Sequence, residues 1–289
     1  MNESVIAIVF DFDETLGPDT ISLFLEKNAI SPKAFWPKVD ELFDEGWDPP
    51  LAYMHLLLKY SQEGKIDLSL KSLKKIGKKL PLFPGLPTAF TDLKAFIKDH
   101  SLLQKSRIRL EFYVISGGLE DMIRSTKLTP ELTGIFGSRF AYDNDTDQPF
   151  GIKSAISFTE KTRFLHGIRK GVSAETLRKD PYRINDSMPE NMQRVPFSRM
   201  IYIGDGPSDI PCLSPVVREG GIGIGATAPF GSFKKGYELA RGKRIMLGPY
   251  TASYKKGSDM RKVLEEALLR IALNIDIDQR KQVVMAPGH

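Results

Sequence analysis

The chain has 289 residues, 41% of them hydrophobic and 27% charged, and 41 basic against 36 acidic residues leave a net charge of +5. This composition is that of a globular domain with a full core, and it excludes disordered and fibrous classes. The single cysteine, Cys212, excludes an intrachain disulfide, and no apolar run approaches the ~20 residues of a membrane helix.

In chain order, Val5 to Phe10 reads as a strand buried on both faces of a parallel sheet. Helical patterns follow. The first covers Asp19 to Ala29. The second opens at Ser31-Pro32, with serine as N-cap and proline at the first helical position, and runs to about Glu45 before Gly46. A third spans Pro50 to Glu63, with Leu51, Met54, His55 and Leu58 at helical spacing, and a fourth covers Leu68 to Lys79. Together they predict a small helical bundle, holding both Trp36 and Trp47, inserted after the first strand. Pro81, Pro84, Gly85 and Pro87 mark the return from it. The dense basic cluster Lys65, Lys71, Lys74, Lys75, Lys78 and Lys79 has no interleaved aromatics. It reads as a solvated helix face, so no nucleic-acid partner is expected.

Beyond the bundle, helix and strand alternate. Leu86 to Asp99 reads as helix and Ile108 to Ile115 as strand. Ser116-Gly117-Gly118 turns into a helix from Leu119 to Lys127. Arg139 to Tyr142 and Ile152 to Ser157 read as a hairpin, and Thr159 to Arg169 as a helix. The polar stretch Lys170 to Pro196 offers one short helix at best. Met200 to Ile203 is a strand, Ser208 to Val217 a helix, Gly221 to Gly225 and Arg244 to Leu247 short strands, and Ser258 to Leu273 a closing helix. This alternation predicts an α/β fold whose parallel sheet is covered on both faces. Glu3 and an apolar run that stops at Phe10 do not match a secretory signal, and the expected location is cytoplasmic.

Two acidic motifs follow buried strands: Asp11-Phe12-Asp13-Glu14-Thr15 and Gly204-Asp205-Gly206-Pro207-Ser208-Asp209. In open α/β sheets the ligand site lies outside the carboxyl ends of the strands. Asp11, Asp13, Asp205 and Asp209 are thus expected at one sheet edge, where they repel unless a cation or protons lie among them. Mg²⁺ suits such oxygen ligands. One carboxylate can attack phosphorus, and a second, two residues on, can move protons if its pKa is raised. Phosphoryl oxygens also need donors. Ser116 and the backbone of Gly117 can supply them at a strand–helix turn, and Lys161, with Lys153 as competitor, can supply a fixed positive charge.

In this order, these residues resemble the haloacid dehalogenase superfamily. Its pattern is Asp-x-Asp-x-Thr, then Ser or Thr after a second strand, then Lys, then Gly-Asp-Gly-x-x-Asp. The resemblance implies a Rossmann-like hydrolase core over 1–16 and 85–289, with a small all-α cap over 17–84 as in the phosphoserine phosphatase-like branch. It implies a Mg²⁺-dependent phosphatase of a small phosphorylated metabolite. Asp11 would be nucleophile and Asp13 general acid/base, with Ser116, Gly117 and Lys161 at the phosphoryl group. Asp11, the Asp13 carbonyl and Asp205 would sit at the metal, and Asp209 would complete or orient its shell. An aspartate at position 13 implies phosphate esters rather than carbon–halogen bonds. Phosphoserine phosphatases carry a glutamate after the first motif that reads the substrate amine. Here the segment is Leu16-Gly17-Pro18-Asp19-Thr20, with Asp19 the candidate substitute. Tyr182, Arg183 and Asn185 are expected at the surface, and Cys212 in the core. A phosphotransferase or mutase on the same fold, or a non-catalytic phospholigand-binding protein, are the alternatives, and oligomeric state is left open.

Overall fold

The computed structural model describes residues 3–103, 106–189, 192–231, 234–243 and 245–285. Arg244, where a strand is expected to begin, residues 190 and 191 of the long polar stretch, and His289 lie outside them.

Strand β1 (Ser4–Phe10) is buried at every position, as its unbroken apolar run requires. Ile6, Ile8 and Phe10 enter one core cluster and Val5, Ala7 and Val9 the other, which is the period-two alternation of a strand packed on both sides. On one side β1 pairs in parallel with β2 (Ile108–Leu119), and on the other with β5 (Met200–Gly204). The sheet continues through β3 (Gly134–Tyr142) to an antiparallel β4 (Pro149–Ser154), and through β6 (Ile222–Thr227) to β7 (Leu247–Thr251). Its order is β4-β3-β2-β1-β5-β6-β7. The heads of β1, β2 and β5 therefore lie side by side, which is what gathers the acidic motifs.

On one face, α5 (Thr88–Asp99) and α11 (Asp259–Met285) contribute Phe90, Leu93, Leu264 and Leu268 to the core. Phe90 stacks on Phe112 of β2 with ring centroids 4.4 Å apart. Truncating such a buried ring to alanine costs ~3–5 kcal/mol. On the other face, α7 (Phe158–Lys170) and α9 (Ile210–Arg218) bury Phe164, Leu165, Cys212 and Leu213. Gly171 ends α7 in the left-handed conformation at φ 74°, which glycine adopts without steric cost.

Between β1 and α5 run α1 (Thr20–Lys27), α2 (Pro32–Asp44), α3 (Pro49–Gln62) and α4 (Leu70–Gly77). Their apolar faces, with Phe24, Phe35, Met54, Leu57 and Leu73, form a third cluster that also takes in Leu119, Met122 and Phe140 at the sheet end. Asp19 and Ser69 cap α1 and α4 with their side chains.

Several expectations differ from the fold. The helix expected at Leu119–Lys127 is only α6 (Glu120–Ile123), because β2 runs on to Leu119 with its register against β3 broken between Ile115 and Leu119. The Thr126 hydroxyl then bonds the Ile123 carbonyl beyond the helix end, an alternative to the helical ladder. β3 begins at Gly134, so the expected hairpin is only its outer half. The last strand lies at Leu247–Thr251, where Pro249 is tolerated because β7 is an edge strand. Lys234–Arg241, to which the sequence reading assigns no element, forms α10 beside β6 and β7. α11 continues to Met285, well past Leu273. The polar stretch after α7 holds α8 (Ala174–Lys179) and a 3₁₀ turn at Pro181–Asn185.

Candidate active site

Asp11 is the first residue beyond β1, and its N–H donates to the Ile203 carbonyl of β5 at 2.9 Å. Phe12 is fully buried, and its carbonyl accepts from the N–H groups of Thr15, Leu16 and Gly17, which folds the motif into a tight loop. Asp11 Oδ1 accepts from the Phe12 N–H at 2.7 Å, and Oδ2 accepts from Lys161 Nζ at 2.9 Å. Lys161 lies in the first turn of α7 and is 2% exposed, and the same Nζ reaches Asp209 Oδ1 at 2.8 Å. Burial alone would lower the Lys161 pKa, but the flanking Asp11 and Asp209 carboxylates outweigh it and hold the ammonium charged. Burial pushes the Asp11 carboxyl up to about 6, against the pull of Lys161.

Asp209 is fully buried and its oxygens are saturated. Oδ1 accepts from Lys161 and from the Tyr202 hydroxyl at 2.9 Å, and Oδ2 accepts from the N–H groups of Asp205 and Gly206 at 3.1 and 3.3 Å. It can fold back this far because residue 204 is glycine: a Cβ there would lie 2.3 Å from Asp209 Cγ. Carboxylate oxygens of Asp11, Asp205 and Asp209 all lie within 4.8 Å of one another. Three hard anionic donors at this spacing fit Mg²⁺, which takes one or two carboxylates and keeps waters. With Asp209 engaged elsewhere, Asp11 and Asp205 are the side chains that would hold the ion, and Asp209 orients the loop and the lysine. The Asp13 carboxylate is outside this trio.

Asp13 Oδ1 accepts from the Thr20 N–H at the start of α1, at 2.8 Å. Burial first, then the charges of Asp19 and Asp11, push its carboxyl well above the ordinary range, so it is suited to carry a proton. Ser116 Oγ accepts from the Gly118 N–H at 3.0 Å, which leaves the hydroxyl hydrogen to donate. A Cβ on Gly118 would stand 2.8 Å from Asp13 Oδ2, so the glycine allows the β2 head and the Asp13 loop to approach. The Gly117 carbonyl accepts from Tyr53 at 2.6 Å and Ser138 at 2.8 Å, fixing that peptide.

These groups border a cavity of about 270 Å³, whose lining includes Asp11, Asp13, Ser116, Gly117, Lys161 and Asp205. Lys153, the rival lysine, is exposed on β4 and does not line it. Asp19 is at the rim but caps α1: Oδ1 accepts from Ile21 and Ser22 N–H, and Oδ2 from the Ser22 hydroxyl at 2.8 Å. Tyr182 is 78% exposed, away from the lining. The sequence reading missed Tyr202, Trp36, Tyr53 and Phe158. For Tyr202 the signal was one hydroxyl in the apolar strand run before Gly204. The other three come from segments far apart in the chain, and no local pattern marks them.

No family profile matches the chain. An uncharacterized protein of Borreliella burgdorferi is 28% identical over 233 residues, which cover 73% of this chain and 78% of that one. Among solved structures, a substrate-bound phosphoserine phosphatase superposes with a TM-score of 0.50 at 17% identity, covering 92% of this chain and 99% of that chain. A phosphoserine phosphatase in its apo form gives 0.50 at 15% identity, covering 91% and 98%. At such identities the likeness is one of architecture. The chain shares the α/β fold of these two phosphoserine phosphatases.

Proposed function

We propose that this protein is a Mg²⁺-dependent phosphatase that hydrolyses a small phosphomonoester through an aspartyl-phosphate on Asp11. In this reading residues 17–84 are a cap over a core of 1–16 and 85–289. The observation that carries it is the Asp11–Lys161 contact of 2.9 Å on the cavity lining, with a second, elevated carboxyl two residues away.

Asp11 attacks phosphorus, forming an acyl phosphate as the ester P–O bond breaks. Asp13 gives its proton to the leaving alkoxide. A water then attacks the same phosphorus, Asp13 takes back a proton, and the bond to Asp11 breaks to release phosphate. The Ser116 hydroxyl and Gly117 backbone serve the non-bridging oxygens, and Lys161 supplies fixed positive charge beside the nucleophile. Asp11 and Asp205, with the Asp13 carbonyl that the family resemblance implies, would hold Mg²⁺, which would supply positive charge against the phosphoryl oxygens. Two neighbouring carboxylates suit this division of labour: one held ionised by a lysine, one kept protonated by its surroundings.

The test is release of inorganic phosphate from 4-nitrophenyl phosphate with Mg²⁺ and no added acceptor. Release that EDTA stops and Mg²⁺ restores is the expected result. Undiminished release in chelator would remove the metal from the mechanism, and no release from any ester would overturn the reading.

A further inference from the structure

The cavity lining is of two kinds. Beside the carboxylates, Lys161 and Ser116 stand the rings of Trp36 from α2, Tyr53 from α3 and Phe158 at the start of α7, together with Ile21, Pro50 and Ile156. The polar atoms on those rings are already engaged. Trp36 Nε1–H donates to Ser22 Oγ at 2.9 Å, and the Tyr53 hydroxyl donates to the Gly117 carbonyl at 2.6 Å. What they turn to a ligand is carbon surface.

Charge points the same way. Among the described residues, Lys161 is the one basic side chain of the lining, and its ammonium contacts Asp11, Asp209 and Ser208. The remaining charged groups of the rim, Glu14 and Asp19, are acidic. A second anion on the substrate would find no cation there and would be repelled by both. A polyol would find the ring donors of that wall taken and acceptors confined to the acidic rim, so the hydroxyls facing the rings would give up water without a partner.

We propose that the ester cleaved here has an apolar or aromatic alcohol as its leaving group and carries no anion besides the phosphate, with Trp36 and Phe158 as the specificity-determining residues. This rests on the phosphatase reading above. Ring burial against aromatic and aliphatic walls supplies the selectivity, and the size of the cavity restricts it to compact groups.

The experiment compares kcat/KM for benzyl phosphate, O-phosphoserine and glucose 6-phosphate, all esters of primary alcohols, with Mg²⁺ present. The expected preference for benzyl phosphate is about tenfold or more, the scale on which hydrophobic pockets discriminate. Phe158→Ala, at a side chain 44% exposed and outside the core, should raise KM for benzyl phosphate several-fold without changing inhibition by inorganic phosphate. Trp36→Ala should do the same, and Trp36→Phe should restore the preference. Preference for phosphoserine or glucose 6-phosphate, or equal loss on all esters in the variants, would overturn the inference and leave the phosphatase reading intact. Failure to hydrolyse any ester, 4-nitrophenyl phosphate included, would overturn both.

Discussion

Asp209 has no exposure to solvent, and four donors meet its two oxygens. Asp11 is nearly as buried but has one oxygen on a backbone N–H and one on Lys161. Asp209 thus has no lone pair to spare without breaking a bond, whereas each Asp11 oxygen keeps one, as the proposed nucleophile requires. Asp11→Asn preserves shape and removes the nucleophile's charge. It is expected to cut kcat by about 10³-fold or more while the fold persists, as loss of a group in a concerted catalytic unit does. Phosphate release measured beside circular dichroism checks it, and turnover within a few-fold of the parent would refute the assignment. The four acidic residues were legible because each pair lies in a short motif at a strand end. Trp36, Tyr53 and Phe158 were not, because their place at the cavity depends on how the inserted helices and α7 pack.

At the scale of elements, one buried glutamate lies near the start of β2 and another just after its end, and both are held by the polar stretch that follows α7. Near the start, Glu111 accepts from Arg194 and from the Tyr113 hydroxyl. Beyond the far end, Glu120 accepts from Arg124, from Arg178 of α8 and from the Gly137 N–H. The stretch is thereby strapped along the sheet. Such partners, 83 and 58 residues apart in sequence, leave no local trace, so the sequence alone shows the strap only as a long polar stretch. For Glu111, burial raises the carboxyl pKa, but Arg194 and Tyr113 outweigh it, and the net value is below the ordinary 4.5. A carboxyl lowered on folding stabilises above its unfolded pKa, and that stabilisation disappears as pH falls through the folded value. Glu111→Gln should therefore destabilise most near neutral pH, with the gap narrowing below about pH 4.5. Urea melts of both proteins across pH 7 to 3 check this, and a gap independent of pH would refute it. The inserted helices were legible for the opposite reason: Ser31-Pro32, Gly46 and the apolar spacing are local signals. β7 was misplaced because Pro249 argues against a strand unless its edge position is known.

At the scale of the molecule, the chain carries +5 overall, yet the cavity at the strand ends is bordered by five acidic residues and one lysine. Net charge thus says little about the ligand, and the local field calls for a cation. No helix among the described residues is long and apolar enough to cross a membrane. Mg²⁺ that binds only the folded state must stabilise it: at 100 times its Kd the gain is about 2.7 kcal/mol. Raised thermal stability in Mg²⁺ is expected for the parent and not for Asp205→Asn, read by calorimetry without substrate. An equal rise in both would place the ion elsewhere. The α/β alternation and strand-end motifs made the architecture readable from composition of the buried runs. The order of strands beyond β5 was not, since it is set by contacts between β6, β7 and α10 that the sequence does not announce.

The bond from Tyr53 to the Gly117 carbonyl joins α3 directly to the turn that follows Ser116. The inserted helices and that turn thus cannot move apart without breaking it, and Ser138 alone would then steady the peptide. Access to the cavity and the readiness of the turn become one equilibrium. If the turn binds phosphate as proposed, a protein wedged open would grip it less well before any substrate has touched it.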